Sequence, residues 1–130
     1  MSPADADLAA TVQWLHDRVL IEQLPQRYAR GLDSREFDAA RAVFRDDCRV
    51  KGSLVEDDID PYWANLVPGA DTGSVETYAV AYHMEAAGNG RDDLIMGVRY
   101  EDTVARDGDG WLITNRVAKP VWVRGPLPRP

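Results

Sequence analysis

Close to residue 48 the spacing of the apolar residues changes. Before it they recur every three or four positions, as on one face of a helix; after it come runs rich in β-branched and aromatic residues, separated by turn residues. Helices first and strands afterwards predict an α+β fold, with a curved antiparallel sheet packed against N-terminal helices.

Residues 2–32 read as helical, with Ser2 as a cap, Pro3 in the first turn, and Leu8, Val12, Leu15 and Val19 on one buried face. The apolar set continues through Ile21, Leu24, Tyr28 and Leu32, but Pro25 has no amide proton, so a kink or break is expected there. A second helix carries Phe37, Ala40, Val43 and Phe44 on one side and ends where Arg45-Asp46-Asp47 leads into a strand. Two further strands are read in VETYAVAYHM and LIMGVRYEDTVA, and WLITNRVAKPVWV pairs with the latter through the ARDGDGW turn, whose glycines supply positive φ. Residues 56–74 hold at most one short helical turn or strand around Tyr62 to Val67, and residues 124–130 form an extended Pro-rich tail.

A chain of 130 residues is one domain, since halves of it would bury too little surface to be stable alone. Its formal charge of −7, with acids in both halves, repels phosphate backbones and anionic lipid heads, so neither nucleic acid nor a membrane surface is expected as a partner. The acidic N-terminal stretch is no signal peptide, no window has the length of a membrane span, and one cysteine, Cys48, asks for no oxidising compartment, so the expected location is cytoplasmic. Cys48 is read as a half-buried strand residue without a chemical role. His16 and His83 and the lone cysteine have no metal-ligand spacing, and AAGNGRDD lacks a phosphate-loop pattern, so no metal or nucleotide cofactor is expected.

Three groups of residues in order carry a resemblance: Ile21, Leu24, Tyr28, Ala29 and Asp33; then Phe44, Asp46 and Asp47; then Tyr100, Asp102, Asp109, Gly110, Trp111, Ile113 and Arg116. In this order and spacing the chain resembles the SnoaL-like family of the nuclear transport factor two-like superfamily, which includes scytalone dehydratase-like and ketosteroid isomerase-like proteins. The resemblance implies a cone-shaped fold with one apolar pocket, assembly as a homodimer or homotrimer, and a range of eliminations, isomerisations, hydrations and cyclisations, alongside members with no activity. Fold alone does not choose among them.

The resemblance makes Asp33 the candidate general base, at the end of the first helix, where an apolar cavity would raise its pKa. The competing reading is an N-cap of the next helix. His83 shares a strand face with the small residues Thr77, Ala79 and Ala81 and is the candidate proton relay; the alternative is a partly exposed histidine at a strand end. Arg116 is the candidate stabiliser of a developing oxyanion, against a salt bridge to Asp102 or Glu101 across the hairpin. Tyr28, Tyr82, Tyr62 and Trp63 are candidate substrate contacts, with core packing as the alternative for Tyr28, Tyr82 and Trp63. Dehydratase-like relatives commonly present another histidine after the third helix, and residues 52–75 contain none, so the usual Asp–His dyad does not carry over. The expected function is a cofactor-independent enzyme for a small hydrophobic oxygenated molecule; the alternative is a ligand-binding or accessory protein of the same fold.

Overall fold

The structure is a computed structural model of the chain and describes residues 3–52, 63–65, 70–83 and 94–125. In chain order the elements are α1 (Pro3–Asp33), α2 (Phe37–Arg41), β1 (Phe44–Gly52), β2 (Trp63–Asn65), β3 (Thr72–His83), β4 (Leu94–Asp107) and β5 (Gly110–Arg124). The strands form one sheet in the order β1-β5-β4-β3-β2, against which α1 packs. Pairing is antiparallel from β2 to β5, as expected, but β1 lies parallel to β5, so the sheet is mixed rather than wholly antiparallel. No tight hairpin joins edge strand β1 to β5; the rest of the sheet lies between them in sequence, which leaves their direction free. Register shifts at Gly97/Val98 and Thr103/Val104 bend the long β4–β5 ribbon over the helices.

The β4–β5 turn follows the sequence reading: Asp107 pairs with Gly110, and Gly108 between them has φ of 57°. A side chain is rarely found in that region, which is why a glycine serves there. Of the short helical turn or strand allowed near Tyr62 to Val67, the structure has the strand, β2, while Tyr62 itself, most of residues 56–74 and the tail beyond Gly125 lie outside the described residues.

Two points about α1 are settled. Of the kink or break expected at Pro25, a break is not found: the helix continues to Asp33. One lost hydrogen bond is outweighed by Ile21 and Leu24 in the turn that leads into Pro25, each burial worth about 1.5–3 kcal/mol. Nor do Leu8, Val12, Leu15 and Val19 form a buried face: they are 63, 56, 49 and 50% exposed. The buried face is Asp17, Ile21 and Leu24, continued by half-buried Tyr28. Val19 and Ile21 are two positions, so about 200°, apart around a helix, which puts the two apolar sets on opposite sides. The second helix is also shorter than expected, since β1 already begins at Phe44.

The core joins Ile21 and Leu24 to Val43, Val75, Val104, Trp111 and Ile113. A second tie is polar: Arg106 donates to both oxygens of buried Asp17, at 2.9 and 2.8 Å, and Trp111 Nε1 donates to Oδ1 at 3.1 Å. This clamp fastens the middle of α1 to the hairpin end of the sheet. No described helix is long and apolar enough to cross a membrane.

Candidate functional site

Beyond that clamp, the C-terminal end of α1 and the middle of β3, β4 and β5 enclose a cavity of about 850 Å³. Its room comes from small residues at facing positions: Ala79 and Ala81 on β3 and Ala118 on β5. Met96 and Val98 add apolar wall, and Tyr28 and Tyr100 bring phenol groups from α1 and β4. Among the described lining residues Asp33 is the one charged group and none is basic. A separate depression of about 580 Å³ beside Arg41, Arg45 and Asp47 is walled largely by exposed charged side chains, of which Arg45 and Asp47 are already ion-paired.

Asp33 is the last residue of α1 and borders the cavity with its side chain exposed. It does not cap the next helix: Glu36 occupies the N-cap of α2 and makes no side-chain cap bond. The chain reverses there through Arg35, at φ of 58°, with the Glu36 N–H donating to the Gly31 carbonyl. Gly31 is needed for the close approach of α2, since a Cβ there would meet that of Ala40 at 2.8 Å. The turn thereby leaves Asp33 at the mouth of the cavity.

His83 ends β3 opposite Leu94, and its side chain lies outside the described residues, as do those of Trp63 and all of Tyr62. Tyr82 lines the cavity and is 65% exposed. Tyr28 is held edge-on to Tyr100, with ring centroids 6.1 Å apart, and edge-on to Phe44 at 5.4 Å.

Arg116 is not in the cavity wall. Its guanidinium is buried behind Tyr28 and Tyr100 and makes the cross-hairpin salt bridge, Nε and Nη2 donating to Asp102 at 2.7 and 2.9 Å. Burial pushes the Asp102 carboxyl up from its ordinary pKa, opposed by the bonds from Arg116. Burial and the neighbouring Tyr28 phenol likewise push Tyr100 up, again opposed by Arg116. Cys48 is partly buried against the core, and desolvation raises its thiol away from the reactive range.

The sequence reading gave no polar role in the site to two groups, although it placed Thr77 on the face of Ala79 and Ala81. Tyr100 stood only as part of the Tyr-x-Asp pattern, yet its phenol lines the cavity. Thr77, its register partner on β3, also lines the cavity and holds a buried hydroxyl without a partner among the described residues. The signal for both was strand parity with the small residues Ala79 and Ala81.

Comparison with known proteins bears on this geometry. Residues 63–117 match the family model described as a SnoaL-like domain. No curated protein matches the sequence. Among solved structures, a candidate scytalone dehydratase from Novosphingobium aromaticivorans superposes with a TM-score of 0.74 at 18% identity, covering 92% of this chain and 93% of that one. An NTF2-like protein with a cystatin-like fold from the same organism gives 0.71 at 17% identity, covering 89% of each chain. A type 2 hexachlorocyclohexane dehydrochlorinase gives 0.69 at 12% identity, covering 90% of this chain and 93% of that one. At such identities the likeness is one of fold.

Proposed function

We propose that this chain, whose residues 63–117 match a SnoaL-like domain model and whose fold is like that of NTF2-like structures, is a cofactor-independent enzyme. Its substrate is a small hydrophobic oxygenated molecule of polyketide, terpenoid or steroid-like kind. It transforms that molecule by acid–base dehydration, isomerisation, hydration or cyclisation. The observation that carries this reading is the cavity of about 850 Å³ with apolar walls, phenol groups from Tyr28 and Tyr100, and Asp33 at its mouth. Such a site buries a ring system and leaves a few polar groups to orient it. The described lining is mainly apolar with Asp33 as its one charged group, which suits a neutral substrate better than an anionic one. Elimination is favoured by the names of two neighbours, a dehydratase and a dehydrochlorinase.

In this reading Asp33 takes a proton as the substrate closes the mouth and strips water from the carboxylate. A phenol hydroxyl supports the oxygen on which charge collects. His83, at the end of β3, relays the proton. Exposure of Asp33 in the empty protein favours one alternative, a pocket that binds without reacting.

The test is a panel of neutral polycyclic and terpenoid compounds, assayed for turnover and soaked into crystals, with Asp33→Asn as control. The expected result is turnover that falls about 10²- to 10⁴-fold in the variant with its melting temperature unchanged. Density for a compound that the wild type never converts would select the binding reading instead.

A further inference from the structure

Arg116 is 2% exposed, yet only part of its hydrogen-bonding capacity is used. Asp102 takes Nε and Nη2, while Nη1 is buried with no partner among the described residues. The guanidinium is instead surrounded by rings. Its central carbon lies 4.1 Å from the Tyr100 ring centroid, 4.4 Å from Tyr28 and 5.0 Å from Phe44. Of those three rings, Tyr100 and Tyr28 line the cavity. The order from the cavity inward is therefore phenol, then cation, then carboxylate.

This order has a chemical consequence. A cation over a ring face is attracted to the electron density of that face. When a phenol donates a hydrogen bond or loses its proton, charge on the oxygen spreads into the ring, and the attraction grows. A cation behind the ring thus stabilises the phenol more as it gives than as it rests. Asp102 holds the guanidinium in place and is itself held by it, since either charge alone would be stranded in a dry site.

We propose that Arg116, fixed by Asp102, is a positioning residue that orients Tyr28 and Tyr100 and strengthens their hydroxyls as hydrogen-bond donors toward an acceptor oxygen in the cavity. It deepens the enzymatic reading, on which its ligand-facing half rests, by specifying a substrate with a carbonyl or ether oxygen at the inner end. The charged or titratable groups packed about Tyr100 are Tyr28 from α1, Arg116 from β5 and Asp102 from its own strand. The first and last raise its pKa and only Arg116 lowers it.

The test replaces tyrosine by 3-fluorotyrosine, which brings the titration into a range where the fold persists, and follows Tyr100 by ¹⁹F NMR in the ligand-free protein. Tyr100→Phe assigns the signal. Asp102→Leu combined with Arg116→Met removes both charges, so neither is left buried alone. The expected result is a Tyr100 pKa higher by about 0.5–1.5 units in the double variant, although the anion that raised it has also gone. Arg116→Lys keeps the ion pair but lifts the charge off the ring, with a smaller rise expected; it decides the matter if the double variant does not fold. A Tyr100 pKa that stays or falls in the folded variants would overturn the inference. That result would leave the proposed enzymatic function standing, and a ligand panel without hits would defeat that function while leaving the titration intact.

Discussion

Among the described residues two buried aspartates are each held by two donors of one arginine, Asp17 by both Nη groups of Arg106 and Asp102 by Nε and Nη2 of Arg116, and they behave oppositely. Asp17 ties α1 to β4, and its partner Arg106 keeps 26% of its side chain in solvent. Asp102 and Arg116 face each other across the β4–β5 ribbon, with side chains 0% and 2% exposed. The Arg106 bonds, with further donation from Trp111 and Gln13, hold the Asp17 carboxyl down at about 2. Desolvation instead pushes Asp102 up despite equally short bonds. Pair geometry is thus not what sets the energetics. A carboxylate with four donors and an arginine still touching water gains from being charged, whereas a dry pair spends its attraction on its own desolvation.

The largest way to break this contrast is Asp102→Ala. It strands the Arg116 guanidinium among three rings, and the expected loss is about 3–5 kcal/mol in denaturant unfolding, enough to unfold a domain of this size at moderate temperature. A loss under about 1 kcal/mol would mean that water reaches the guanidinium. Next is Asp17→Asn, which keeps the shape but removes the charge. Because the folded pKa of Asp17 lies below the unfolded value of 3.8, its contribution is fully present above about pH 4 and disappears as pH falls toward 2. The variant should be weaker by about 2 kcal/mol at pH 7, and its stability curve should meet the wild-type curve near pH 2. Parallel curves across that window would show that the clamp does not depend on charge.

How far this was readable without coordinates differs between the two pairs. Arg116 and Asp102 sit fourteen residues apart on strands joined by a glycine turn, so the ribbon's register brings them opposite, and the salt bridge was foreseen as one reading. Asp17 and Arg106 are 89 residues apart, and no local pattern links them. Asp17 also disguised the helix. An acid at the centre of the buried face interrupts its apolar count, while Leu8, Val12, Leu15 and Val19 gave a cleaner spacing on the opposite, exposed side. The sequence left β2 open between a helical turn and a strand, whereas helices before strands and the Gly108 turn were legible because local chemistry dictates them. The parallel pairing of β1, the passage of α1 through Pro25 and the turn at Arg35 were not, because tertiary contacts decide each. For the site, the small residues of β3 pointed to the cavity, whereas the depth of Arg116 behind Tyr100 follows from packing alone.

The smallest expected effect is the most informative. Replacing Asp102 and Arg116 together, by Leu and Met, removes the attraction and both desolvation penalties at once. Buried ion pairs exchanged for apolar residues of similar volume are commonly neutral or better, so the double variant should unfold within about 1 kcal/mol of wild type. The same variants made singly should lose several times more, which gives a large coupling energy of the kind expected for groups in direct contact. If the double variant is as unstable as Asp102→Ala, the pair contributes net stability, and the contrast with Asp17 disappears. If stability returns while the Tyr100 titration shifts, the pair is kept for what it does to the cavity tyrosines, since the fold persists without it.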